Sequence, residues 1–137
     1  MKLYIFCMTE EVLERYYYRG DMLRRFFREW RADPGNPLLK RQMDYITRNI
    51  PAGLLAIGKG RANPWPHTEF LVSVENDWYD IMAVEKQYWC VGCNSLSEAE
   101  RTVFPLLKAM AKPFFVVSEE GMHYGWIISR KKHHALS

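Results

Sequence analysis

The sequence predicts an α+β fold, and three observations carry that expectation. An apolar run at the start is followed by a block with helical periodicity. A later block alternates apolar and polar residues in the manner of strands. The two blocks are segregated rather than interleaved, which separates this pattern from a βαβ arrangement. At 137 residues the chain is one domain's worth and long enough to bury a core without staples. The expected architecture is a single domain over residues 1–129, mainly antiparallel sheet. N-terminal helices and one helix after the meander pack on it, and residues 130–137 form a polar tail.

"KLYIFCM" is a short apolar run of strand formers and reads as a first, buried strand. Thr9 is placed to cap a helix whose first turn carries Glu10 and Glu11, suited to the positive end of its dipole. Val12 with Tyr16, and Leu13 with Tyr17, make two i,i+4 rows, one predicted to face the core and the other the surface. Gly20 is expected to end this helix and Asp21 to cap the next. "DMLRRFFREWRA" then places Leu23, Phe26, Phe27 and Trp30 on one face with Arg24, Arg28 and Arg31 opposite. After the turn cluster Asp33 to Pro37, a third helix starts at Pro37. Its stripe is Leu39, Met43, Ile46 and Ile50, which leaves Gln42, Tyr45 and Asn49 on a flank. Pro51 and Gly53 stop it.

"GKGRANPWPHTE" reads as an irregular loop held open by Pro64 and Pro66. "FLVSVEN", "YDIMAVE" and "QYWCVGC" alternate as an antiparallel meander, with turns expected at Asn76-Asp77 and Lys86-Gln87. Ser97 and Glu100 fit a capping box for a helix through about Ala111. Pro105 inside it predicts a kink or break near Phe104. "PFFVVS" and "YGWIIS", joined around Gly121, complete the sheet.

Composition limits the function classes. The 48% hydrophobic and 26% charged shares are ordinary for a globular protein. The 15% aromatic share is high, and it calls for a dense core or a surface built for contact. A net charge of +3 does not argue for nucleic acid. Three cysteines, an odd number without paired spacing, fit a reducing compartment. No apolar run approaches the roughly 18 residues of a membrane span. The start "MKLYIFCMTEE" lacks a cleavage signal. The expected location is the cytoplasm.

"QYWCVGCNSLSEAE" resembles a thioredoxin-type Trp-Cys-x-x-Cys, so thiol–disulfide oxidoreductase is one reading. That chemistry needs a thiolate at a helix N-terminus reached directly from a strand. With a helix starting at Ser97, Cys90 falls inside a strand and Cys93 at its end. Cys90 would then point away from Trp89 and Val91, as a small hydrophobe in the core. A zinc site needs four ligands. His67, His123, His133 and His134 lie on loops and in the tail without metal spacing. No Gly-x-Ser-x-Gly elbow or phosphate loop is present. No metal or cofactor is expected. The Arg24/Arg28/Arg31 row supports a second alternative, a nucleic-acid-binding module, although the solvated face of an amphipathic helix is the more usual cause of such a row. "RYYYRG" sets Tyr16, Tyr17 and Tyr18 around three sides of one helix, so at least one is exposed. An exposed Tyr flanked by Arg is the composition of an interface hot spot.

Three stretches resemble a known family: "LYIF…TEEVLERYYYRGDMLRRFFREW", "QMDYITRNIP" and "KPFFVVSEEGMHYGWI". Tyr45-Ile46-Thr47 with Ile50-Pro51, and Tyr124-Gly125-Trp126, are the most specific elements. They are similar to the SirA proteins, sporulation inhibitors of replication from Bacillus-type spore formers. Between about Gly53 and Ser95 only the strand pattern agrees. The resemblance implies a non-enzymatic regulator that binds domain I of the replication initiator DnaA, with no direct contact to nucleic acid, membrane or small-molecule substrate. It implies a binding surface made of Val12, Tyr16 and Gln42, and on the residue reading Tyr45 with Arg15, Arg19 or Arg41 would form its rim. The family pattern carries Phe where this chain has Val12, and a smaller side chain covers less apolar area.

Overall fold

The computed structural model describes residues 1–49, 71–74, 77–84 and 87–128, with the backbone alone for 71–84. In chain order the elements are β1 (Lys2–Met8), α1 (Glu10–Tyr16), α2 (Gly20–Ala32), α3 (Pro37–Ile46) and β2 (Thr47–Arg48). There follow β3 (Leu71–Val74), β4 (Asp77–Val84), β5 (Tyr88–Gly92), α4 (Leu96–Ala109), β6 (Phe114–Ser118) and β7 (Tyr124–Ile127). The "GKGRANPWPHTE" loop, Ile50, Pro51, Gly53 and the 130–137 tail lie outside the described residues.

Among the described residues every strand pair is antiparallel, in the order β3-β4-β5-β1-β6-β7. β2 joins the end of β1, pairing Cys7 with Arg48 and Met8 with Thr47 beyond the last β1–β5 pair, Phe6 with Tyr88. The class is α+β, as expected from the segregated blocks. The central place of β1 follows from its composition, since a strand covered on both faces needs apolar residues at consecutive positions.

Strand alternation divides those residues between two cores. Leu3, Ile5 and Cys7 of β1 join Trp89, Val91, Phe114 and Val116 under Ala99, Val103 and Leu107 of α4. Phe6 and Met8 point the other way, with Phe115 and Val117, under Val12 of α1, Leu23 and Phe27 of α2, and Met43 of α3. Phe6 and Phe27 stack with ring centroids 3.8 Å apart and planes 7° apart. Trp30 stands edge-on to Phe6 at 6.0 Å and to Tyr88 at 5.5 Å. Much of the aromatic content therefore fills the layer between the sheet and the first three helices.

Several local expectations need correction. Thr9 caps α1 and Asn36 caps α3 ahead of Pro37, as the spacing requires. Gly20 does not end α1, which stops at Tyr16. Gly20 is instead the first residue of α2, and Asp21 sits in that helix's first turn rather than capping it. A side chain at Gly20 would stand 3.3 Å from the Tyr124 ring, so the glycine serves the close approach of α2 to β7. Val12 and Leu13 are both buried while Tyr16 and Tyr17 are both half-buried, so neither i,i+4 row is simply the outer one. Val74 pairs with Asp77, which places Asp77 in β4 and not in the preceding turn.

The capping box is formed two residues early. Ser95 Oγ accepts from Glu98 N–H at 3.1 Å, and the Glu98 carboxylate accepts from Asn94 N–H at 2.8 Å. Ser97 lies inside α4, where its Oγ accepts from Arg101. α4 runs without a break through Pro105. Pro105 lies on the helix's exposed side, where water can replace the hydrogen bond that a proline withholds.

Candidate functional site

A concave, largely apolar groove of about 530 Å³ lies between α1, α2 and α3. Its floor is made by Val12, Leu23 and Phe26, with Ile46 at the base of the α3 wall. Val12 is only 4% exposed and belongs to the core beneath. Tyr16 rises one turn further along α1, half-buried, with its ring packed partly on the same core. From α3, Gln42 and Tyr45 form the facing wall; Gln42 is exposed and Tyr45 is 71% exposed.

These positions follow from local sequence. The Thr9 and Asn36 caps fix where α1 and α3 begin, and hence which residues turn inward. Met43 is fully buried in its helix, so Gln42 on one side and Tyr45 on the other are directed off the core. Gln42 and Ile46, like Val12 and Tyr16, are i,i+4 neighbours on one helical row.

Of the residues expected on the binding surface and its rim, Val12, Tyr16, Gln42, Arg15, Arg41 and Tyr45 line this one groove. Arg19 does not; it sits between α1 and α2 and pairs with Asp21 at 3.6 Å. Tyr18, at 89%, is the most exposed of the three consecutive tyrosines, and it too lies outside the groove. Sequence reasoning missed the contribution of α2. Met22, 40% exposed, and Phe26 lie on the groove side of that helix. The signal was present as an i,i+4 apolar pair beside the Leu23–Phe27 core row, with Met22 off the expected stripe.

The two competing sites look different in three dimensions. Cys90 pairs with Tyr4 across β1 and β5, on the α1–α3 side of the sheet. Cys93 belongs to the opposite core, with Trp89 and Val91. The side chains therefore leave opposite faces of the sheet, and none of the three cysteines forms a disulfide. Because α4 begins at Leu96, the helix start is nearer to Cys93 than the sequence suggested. Burial still governs the chemistry, and it pushes both thiols up from their ordinary pKa. A redox thiol needs the reverse shift.

The Arg24/Arg28/Arg31 row is not a solvated face. The Arg31 guanidinium lies 3.9 Å over the Tyr4 ring and donates to the Glu119 carbonyl at 3.1 Å. Arg24 lies 5.3 Å over the Tyr124 ring. Both clamp α2 to the sheet through their stems and planar heads. Arg28 alone of the three is exposed, and one arginine does not make a track for a phosphate backbone.

A family model described as sporulation inhibitor of replication protein SirA matches residues 2–131. The chain belongs to the SirA family. No curated protein matches it. The SirA match takes in every described element from β1 to β7, including the meander where the sequence had offered only a strand pattern. The family's description is that of an inhibitor of replication that acts in sporulation. No helix among the described residues is long and apolar enough to cross a membrane.

Proposed function

We propose that this SirA-family protein restrains replication initiation during sporulation by docking domain I of the initiator DnaA in the groove between α1, α2 and α3. The observation that carries this reading is the convergence of Val12, Tyr16 and Gln42, from two separate helices, around one apolar depression. The groove has the make-up of a small docking patch. Its floor is apolar and preformed, Tyr16 supplies a rigid ring with a hydroxyl, and the exposed Gln42 amide both donates and accepts. Val12 supports the floor from within the core, so the partner's own apolar side chain fills the space that a larger residue would occupy. The partner's helix or loop enters, and Tyr45 and Arg15 close the rim.

The action is steric and non-enzymatic, and takes place in the cytoplasm. Occupying domain I denies that surface to the initiator's own assembly or to activating partners, with no contact to DNA. A patch of this size suits a reversible complex rather than an obligate one. Calorimetric titration with DnaA domain I tests the reading. Wild type gives a saturable heat, and Tyr16→Ala loses it while keeping the far-ultraviolet circular dichroism of the fold. No heat with wild type, or initiator assembly at the origin that proceeds unchanged in the presence of the protein, would refute it.

A further inference from the structure

We propose that the groove selects a partner segment carrying a carboxylate beside its apolar anchor, and that Arg41 is the residue that reads it. The inference rests on the groove being a protein-docking site, as proposed above, and adds the chemistry of its occupant.

Of the three charged residues that line the groove, two pair with each other. Glu11 is held by Arg15 at 3.2 Å along α1. Arg19 pairs with Asp21 at 3.6 Å. The Asp44 carboxylate accepts from the Gln87 amide at 2.6 Å. Arg41 lines the groove from α3, exposed, and has no ion pair among the described residues. The lining contains Arg15, Arg41 and Glu11 as its charged members, so the groove carries one uncompensated positive charge at its rim. Lys40 precedes Arg41, and the acidic residue of α3, Asp44, is not part of the groove lining and faces Gln87 instead.

An apolar anchor seated on Val12, Leu23 and Phe26 displaces water from the guanidinium beside it. Arginine cannot respond by losing its proton. A neutral occupant thus leaves a partly desolvated charge without a partner, which disfavours it. A carboxylate one helical turn from the anchor meets the guanidinium in a forked pair and removes that penalty. Gln42 donates and accepts equally and so does not distinguish acid from amide. Arg41 does. The occupant is accordingly an acidic amphipathic segment of a protein, an apolar side chain with Asp or Glu three or four residues away.

The test has two arms. In the first, isotope-labelled protein is titrated by NMR with phenylpropionate and, separately, with phenylpropionamide, which has the same shape without the charge. The acid should shift the amides of Val12, Tyr16 and Gln42 with an affinity about two- to fivefold above that of the amide, and Arg41→Gln should make the two equal. Equal binding to wild type, a preference that survives Arg41→Gln, or no binding of either compound in the groove would overturn the proposal. In the second, Arg41→Gln should weaken binding of DnaA domain I by a similar factor at low ionic strength, and the gap should close as salt is raised. An unchanged affinity and salt dependence would overturn it. Should wild type fail to bind domain I, the reading of function falls, while the fragment arm still decides the role of Arg41.

Discussion

Tyr16 of α1 and Gln42 of α3 line one groove from different helices, with the buried Val12 beneath them. Neither helix alone makes a binding surface, because each offers one i,i+4 row. Packing both helices on the Phe6, Met8 and Phe27 layer turns two rows into a depression with a floor and two walls. The site is therefore a product of tertiary structure, and substitutions affect it in two separable ways.

Val12 and Gln42 should separate those effects. Val12→Ala removes buried methyl groups and should cost about 2 kcal/mol of stability, read as a lower midpoint in urea. Gln42→Ala removes an exposed amide and should leave the midpoint within about 0.5 kcal/mol of wild type. If Gln42→Ala destabilises as much as Val12→Ala, Gln42 belongs to the fold and not to a surface.

Arg31 ties α2 to β1 by lying over Tyr4 and by donating to Glu119. Arg31→Ala should lower stability by about 1 kcal/mol. It should leave any weak association with DNA unchanged at every salt concentration. A salt-dependent loss of DNA binding with no change in stability would restore the nucleic-acid reading.

The buried thiols give a pH signature. Burial raises the pKa of Cys90 and of Cys93 in the folded state, and that of Tyr4 beside Cys90. The folded protein then holds these protons more tightly than the unfolded chain. The associated stability is complete below the unfolded thiol pKa of about 8.5 and is lost as pH rises through the folded values. Melting temperature should fall above that pH, and less steeply in Cys90→Ala with Cys93→Ala. Thiol reagents should react slowly with the native protein at neutral pH and rapidly once it unfolds. Fast native labelling of either cysteine would contradict this.

Ser95, not Ser97, caps α4. Ser95→Ala should cost about 1 kcal/mol, against a few tenths for Ser97→Ala, whose hydroxyl bonds only the exposed Arg101 side chain. Equal costs would place the helix start elsewhere.

The Ser95 case shows what limits a reading from sequence. Ser95-x-x-Glu98 and Ser97-x-x-Glu100 satisfy the same local rule, and only the burial of Ala99, Val103 and Leu107 against the sheet selects the first. Gly20 is similar. A glycine after a helical run reads as a terminator, and the contact that gives it another use comes from Tyr124 at the far end of the chain. Arg24 and Arg31 were read as solvent-facing because charge is the visible signal, while the aromatic rings that receive them lie on β7 and β1. By contrast β1, the Thr9 cap, the Pro37 start and the β3–β5 meander were legible, because their determinants are local alternation and capping. The site residues were named through family resemblance. That they share a groove, and that Met22 and Phe26 complete it, is a matter of how α2 lies between α1 and α3.

The most direct measurement is the map of amide shifts in the isotope-labelled protein on adding unlabelled DnaA domain I. The account predicts shifts concentrated at Val12, Tyr16, Gln42 and Tyr45, with the α4 residues Ala99, Val103 and Leu107 unmoved. Shifts centred on α4, or an unchanged spectrum at saturating partner, would contradict it.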